Sequence, residues 1–203
     1  MTDSATPTKK SRRHIPILLF LTAGLPVILA SFMYFTGSMV PEARNNKGTL
    51  ILPTLLVEKL ELQLQQKADG DVEGKWELIV FGQDDCTSKE CQEMLHNTRQ
   101  VNVALGREAG RVVRRYVNID GALSASTVDA FKTSYPRLHL SHTSYLALEV
   151  FLDKEADASK VTKGSYVFVA DPLGNVMMFY TLENAGGDIL YDLKKLLKVS
   201  NIG

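Results

Sequence analysis

The chain has 203 residues, and its 23 Lys and Arg side chains balance 23 Asp and Glu, for a formal net charge of zero. That balance removes the broad electrostatic attraction that nucleic acid or an acidic lipid surface exerts on a basic protein. The stretch beyond residue 40 is long enough for one modest domain and too short for two.

Residues 1–14 form a basic tail in which Lys9, Lys10, Arg12, Arg13 and His14 crowd together. Residues 15–36 (IPILLFLTAGLPVILASFMYFT) carry no formal charge and have the length needed to cross roughly 30 Å of hydrocarbon. Backbone groups in that layer find no water, so the run is expected to be a single transmembrane helix. Pro16 falls at its start, Pro26 predicts a kink near its middle, and Tyr34 and Phe35 suit an interfacial anchor. The competing reading is a cleaved signal peptide, but its apolar stretch is typically about 7–15 residues. This run is longer, and no Ala-x-Ala site comes after it. The positive-inside rule keeps the basic tail in the cytoplasm. A bacterial inner-membrane protein with its C-terminal domain in the periplasm is therefore expected.

Residues 37–53, with Pro41, Gly48 and Pro53, read as a connector, and residues 54–203 as the folded domain. Residues 60–65 (LELQLQ) alternate with the period of a half-buried strand, and Asp69-Gly70 signals a turn. Residues 76–81 (WELIVF) form an apolar strand bounded by Gly74 and Gly82. A helix comes next, with Met94, Leu95, Val101 and Leu105 near one face and Gly106 or Gly110 at its end. Residues 111–119 (RVVRRYVNI) predict a strand whose arginines point to solvent, although Arg114 and Arg115 are adjacent and cannot both share a face. Ser124 or Ser126 caps a helix reaching about residue 134, then a short strand is expected around 138–140 and a helix around 145–152. Residues 166–170 (YVFVA) and 176–180 (VMMFY), joined by Asp171-Pro172-Leu173-Gly174-Asn175, read as a hairpin. In that hairpin Met177 and Met178 are adjacent, so one of them faces the core. A closing helix begins at Asp188, with Ile189, Leu193, Leu196 and Leu197 on one stripe and Lys194, Lys195 and Lys198 late, where the helix dipole favours cations. A βαβ half and then a ββα half make the thioredoxin-like α/β arrangement.

One constellation carries chemistry. Cys86 and Cys91 lie where the strand ending at Phe81 turns into a helix. Thr87 and Glu90 fit a capping box, which sets Cys86 at N′ and Cys91 at N4, the two positions that meet in a hydrophobic staple. A helix N-terminus lowers thiol pKa, while Asp84 and Asp85 raise it. The pair can therefore serve as a redox couple, as two soft ligands for Cu(I), or as a structural disulfide. A Cu(I) site would want a third ligand, for which His139 and His142 are candidates; His96 lies on the helix beyond Cys91.

Gly74-Lys75-Trp76 leading into a strand, cysteines at the elbow, the Asp171–Asn175 turn and an anchor in front together resemble the Sco/SenC group of thioredoxin-like proteins. The likeness extends to bacterial membrane proteins encoded among cytochrome c oxidase assembly genes, and it covers most of the chain from about residue 44. It implies copper handling or thiol redox for the oxidase copper centre, with an oxidase subunit or its assembly factors as partner. Two features depart from the group. Sco cysteines are three residues apart where four separate Cys86 from Cys91, and Lys163 occupies the place of the ligand histidine. The chain also lacks a proline directly before the Tyr166 strand, where many thioredoxin-like oxidoreductases have one in cis. Three functions stay open: a non-enzymatic assembly factor presenting Cys86 and Cys91, a thiol–disulfide reductase, and an adaptor that keeps the fold for docking alone.

Overall fold

The computed structural model describes residues 14–36, 45–68, 72–153 and 155–200. The chain divides into two units, residues 1–45 and 46–203. In the first, helix α1 runs His14–Thr36, with Pro26 inside it. The side chains described in α1 begin at Leu21, and among the described residues no helix is long and apolar enough to cross a membrane.

The second unit is built on one seven-stranded sheet. Its strands are β1 (Thr49–Leu56), β2 (Gln63–Gln66), β3 (Trp76–Gly82), β4 (Val112–Ile119), β5 (Leu138–Thr143), β6 (Tyr166–Ala170) and β7 (Asn175–Thr181), in the spatial order β1-β7-β6-β3-β4-β5-β2. β3, β4 and β5 are parallel neighbours, while β6 pairs antiparallel with β3 and with β7. Parallel neighbours need crossovers, which α2 (Lys89–Ala104) and α3 (Ala125–Ser134) supply. α4 (Tyr145–Leu152) and α5 (Ala158–Thr162) lead into the hairpin, and α6 (Gly187–Val199) closes the chain. This is the expected thioredoxin-like order, enlarged by a strand at each edge.

Two cores occupy the two faces of the sheet. Met94, Leu95 and Val101 of α2 join Ile189, Leu193 and Leu197 of α6 over Leu78, Val80 and Tyr116. On the other face Leu148, Phe151 and Leu152 of α4 cover Ile79, Phe81 and Phe168, with the Phe81 and Phe168 rings edge to face at 5.5 Å. Every residue of β3 and of β4 is buried. The expectation that the β4 arginines face solvent therefore fails: Arg114 is 4% and Arg115 is 8% exposed. A strand covered on both faces has no solvent side. Arg115 is stabilised by Glu77, whose carboxylate accepts from its Nε at 2.8 Å, and by Ser141 Oγ at 2.9 Å.

Three further differences have local causes. Residues 49–53, expected in the connector, are the first part of β1. Its pairing with β7 slips between Leu50 and Leu55 around Pro53, so only Ile51 and Leu55 are buried and no two-residue period develops. The alternating run 60–65 is divided. Leu60 ends a 3-10 turn (Val57–Leu60), and only Gln63–Gln66 finds a partner, β5. The hairpin forms as expected, with Asp171 Oδ1 accepting from the Leu173 and Asn175 N–H groups at 2.9 and 2.8 Å and Gly174 at φ 84°. On β7 Met178 is the methionine that is buried.

Entry into this unit is fixed by one buried carboxylate. Asp192 of α6 is 3% exposed, and its Oδ2 accepts from the Lys47 N–H at 2.7 Å, the Gly48 N–H at 3.0 Å and the Tyr180 hydroxyl at 2.8 Å. Gly48 is required there, because a Cβ would lie 2.6 Å from the Tyr180 ring. Asp192→Ala strips three donors of their acceptor, so it is expected to lower stability by about 2–4 kcal/mol in urea unfolding.

Candidate functional site

The sequence Gln83-Asp84-Asp85-Cys86 turns the chain from β3 into α2 by an unusual route. Asp84, Asp85 and Cys86 all adopt left-handed backbone, with φ of 49°, 58° and 59°. Left-handed geometry costs L-residues roughly 1–2 kcal/mol each, and aspartate tolerates it better than most. The turn is held by bonds from Cys86 N–H to Gln83 O (2.9 Å) and from Thr87 N–H to Asp84 O (3.2 Å). Asp85 adds a tether to the next helix. Its carboxylate accepts from Thr127 Oγ1 at 2.8 Å and from the Ser124 N–H at 3.4 Å. Burial works to raise the Asp85 pKa, but the bonds from Thr127 and Ser124 outweigh it and lower the value.

The helix starts one residue later than the capping box implied. Ser88 is the N-cap, and its hydroxyl accepts from the Cys91 N–H at 3.1 Å. Thr87 has helical backbone and is exposed. Ser88 wins because its hydroxyl also donates to Lys163 O at 2.8 Å, tying the elbow to the segment before β6. Cys91 thus sits at N3, inside the positive end of α2.

Cys86 and Cys91 form a disulfide with Cα atoms 5.5 Å apart. The sulfurs are enclosed, with Cys86 3% and Cys91 1% exposed. Two glycines make the enclosure fit. A Cβ at Gly82 would meet the Tyr116 hydroxyl at 2.6 Å and Cys91 Sγ at 3.0 Å, so Gly82 lets Tyr116 approach the sulfur. A Cβ at Gly164, where φ is 81°, would lie 2.5 Å from both Cα and Cβ of Cys91. The segment before β6 therefore presses its backbone onto the disulfide. Tyr116 donates to Asn118 Oδ1 at 3.1 Å. Burial and the charges of Asp85 and Asp84 raise its pKa, against a bond to the Cys86 backbone, so it remains a phenol and a donor.

Tyr116, Gly82 and Gly164 are the parts of this site that residue type and spacing do not disclose. The available signals were the registers that set Gly82 beside Asn118 and Val80 beside Tyr116 on adjacent strands, and the glycine directly after Lys163. Lys163 itself is exposed beside the elbow, at the place where the Sco resemblance puts a ligand histidine.

The candidate histidines lie elsewhere. His142 is level with Gly82 in register but two strands away, roughly 10 Å at the usual strand spacing. Its Nε2 is 3.1 Å from Gln63 Oε1. His139 pairs with Arg115 nearer the start of β4, and its Nδ1 accepts from the Ala68 N–H at 3.4 Å. His96 is exposed on α2, 2.6 Å from Gln100. Among the described residues no three His, Cys, Asp or Glu side chains are grouped to hold a metal ion.

Residues 76–200 match the family described as transmembrane-like, thioredoxin-like, C-terminal domain. No curated protein matches the chain in sequence. Among solved structures the fold is similar to that of BsSco, described as having a disulfide switch and belonging to the Sco family of cytochrome c oxidase assembly proteins. That match has 18% identity and a TM-score of 0.51, covering 73% of this chain and 96% of that one. Copper-bound yeast Sco1 matches at 14% identity and TM-score 0.50, over 63% and 81% of the two chains. Copper-bound Arabidopsis thaliana ScoI matches at 16% and 0.50, over 75% and 99%. At these identities the likeness is one of fold, and that fold is the thioredoxin-like α/β arrangement of the Sco proteins.

Two measurements test the surroundings of the site. Gly164→Ala is expected to lose about 2–4 kcal/mol of stability and to speed reduction of the disulfide by a soluble thiol, monitored by thiol labelling. His139 is held neutral down to about pH 4 by burial and by Arg115, Lys67 and Lys75, whereas its unfolded form takes up a proton near pH 6.5. Between those values the unfolded state binds more protons, so stability is lost on acidification from about pH 6.5 to 4. In His139→Gln that loss is expected to shrink by about 2 kcal/mol, read from urea unfolding at pH 7 and pH 4.5.

Proposed function

The chain belongs to the transmembrane-like, thioredoxin-like C-terminal domain family, and on that premise we propose that it is a membrane-anchored assembly factor for cytochrome c oxidase acting through Cys86 and Cys91. The observation that carries this reading is the disulfide at the strand-to-helix elbow of a Sco-like fold. A disulfide closing so short a loop contributes little through chain entropy, and its place at the N-terminus of α2 favours thiolate when it is reduced.

The chemistry proceeds by exchange. A thiolate of a reducing partner attacks one sulfur, the Cys86–Cys91 bond breaks and the other sulfur leaves as thiolate. A second partner thiolate then attacks the partner's sulfur in that mixed disulfide, and the remaining cysteine leaves as thiolate. The partner's two thiols become a disulfide, and the two electrons reside on Cys86 and Cys91 as thiols. Reduced, the pair supplies two soft sulfur donors for Cu(I) as cargo. The disulfide form offers no thiolate, so release or uptake of copper would track the redox state.

The anchor and topology belong to the same proposal. The apolar run of α1 comes after Lys9, Lys10, Arg12 and Arg13, which favours a cytoplasmic tail over residues 1–14 and a membrane span over 15–36. The connector then begins at residue 37 and leads into the domain in the periplasm of a bacterial inner-membrane protein. With β1 starting at Thr49, it reaches at most roughly 40 Å, which keeps the domain near a membrane-embedded partner.

A second reading has its own support. Both sulfurs are enclosed and Lys163 stands at the expected histidine position, which favours a structural bridge in a docking adaptor. The reduction potential separates the two. A value between roughly −120 and −270 mV is expected for an exchange-active pair, and a value below about −300 mV would assign the bridge to structure alone. In a Cu(I) titration of the reduced protein, the Cys86→Ser, Cys91→Ser double variant is expected to lose tight binding. Equal binding by parent and double variant would remove copper from the proposal.

A further inference from the structure

Breaking the Cys86–Cys91 bond leaves one sulfur as a thiolate in an enclosed place. Both sulfurs belong to the apolar cluster that holds Met94, Leu95 and Leu123, and burial disfavours the charged form of a thiol. Asp84 and Asp85, on the turn that carries Cys86, add negative charge nearby. The N-terminus of α2 works the other way, but the Cys91 N–H is already given to Ser88 Oγ. A thiolate at Cys91 therefore needs a further donor.

Tyr116 stands where that donor is needed. The side chain is fully buried, and its ring is held edge to face against Phe131 at 5.5 Å. Its hydroxyl and Cys91 Sγ lie 2.6 and 3.0 Å from the one point where a Gly82 Cβ would stand. Hydroxyl and sulfur thus meet over a residue with no side chain to keep them apart. The Cys86 backbone hydrogen-bonds to the same hydroxyl, so this phenol reaches both cysteines.

In the disulfide form the hydroxyl donates to Asn118 Oδ1 at 3.1 Å, which is long beside the usual O–H···O separation of about 2.7–2.8 Å. Asn118 is fixed from its other side, where Nδ2 donates to Gly121 O at 3.0 Å. A thiolate is a charged acceptor, and bonds to charged groups are roughly twice as strong as those between neutral ones. Redirecting the O–H from Asn118 to sulfur takes only rotation about the phenolic C–O bond.

On the reading that this disulfide exchanges with partner thiols, we propose that Tyr116 donates its hydroxyl hydrogen bond to Cys91 Sγ as the disulfide opens. That donor makes Cys91 the leaving sulfur and Cys86 the one attacked. The partner's thiolate sulfur bonds to Cys86 Sγ, the Cys86–Cys91 bond breaks, and its electron pair stays on Cys91. Burial and the charges of Asp85 and Asp84 raise the Tyr116 pKa, so the phenol keeps its proton and no proton changes hands in this step.

The test uses the full chain in detergent micelles. In Cys86→Ser the remaining cysteine is Cys91, and the carbon NMR shift of its Cβ against pH reports its pKa. Adding Tyr116→Phe keeps the ring and its packing on Phe131 and removes the donor, so the Cys91 pKa is expected to rise by about one unit. In the disulfide form, Tyr116→Phe is expected to slow reduction by dithiothreitol about threefold at neutral pH, because a thiol of higher pKa leaves more slowly. Asn118→Ala keeps the hydroxyl and frees its proton, so in that variant the Cys91 pKa is expected to stay or fall. An unchanged Cys91 pKa in Tyr116→Phe overturns the assignment. So does an equal rise in both variants, which a purely structural role would give. A parent reduction potential below the exchange range counts against exchange itself, while the Cys91 comparison still reads the Tyr116 donor.

Discussion

Parallel pairing of β3 with β4, in register from Trp76–Val112 to Gly82–Asn118, sets the conditions for everything else in the domain. Two parallel neighbours cannot be joined by a turn, so the chain must leave the sheet at Gly82, cross over it as α2 and re-enter at Val112. The exit point is where the cysteines lie. The crossover covers one face of the sheet, and the excursion through α4 and α5 covers the other, so both strands lose contact with water. That loss leads to the pairing of Arg115 with Glu77, the exposure deficit of Arg114 and the enclosure of the sulfurs beneath Gly164.

The elbow shows how local strain and tertiary support balance. Three successive left-handed residues would not persist in an isolated peptide. Here Asp85 is gripped by the N-terminus of α3, Ser88 is gripped by the Lys163 carbonyl, and the disulfide closes the turn from within. Each of those supports comes from a different part of the chain. Reduction removes one of the three and leaves two, so the thiol form inherits a turn that is already shaped but less tightly held. That is a reasonable basis for two chemical states that differ locally while the sheet stays the same.

Much of the architecture was legible in the residues. WELIVF, YVFVA and VMMFY read as strands because their apolar content is dense and bounded by glycine or a turn, and the stripe of Ile189, Leu193 and Leu197 marked α6. The features that escaped were those decided at long range. Pro53 and a register slip hid β1, because an edge strand with two buried side chains leaves no period. Arg114 and Arg115 looked like surface residues, since only the finished sheet reveals that β4 has no outside. Thr87 and Ser88 are both competent caps, and the choice depends on a carbonyl seventy-five positions away. In the site itself, the cysteines announced themselves by type and spacing. Tyr116 and the two glycines did not, because their role lies in how closely they approach Cys91.

The Asp192 clamp has a mechanical consequence. A pull applied to this domain from its N-terminal side would arrive where an edge strand begins. By gripping Lys47 and Gly48 from the last helix, Asp192 takes that load before it arrives at Thr49 and passes it to α6 and Tyr180, deep in the packed core. The joint acts as a strain relief that protects the pairing of β1 with β7.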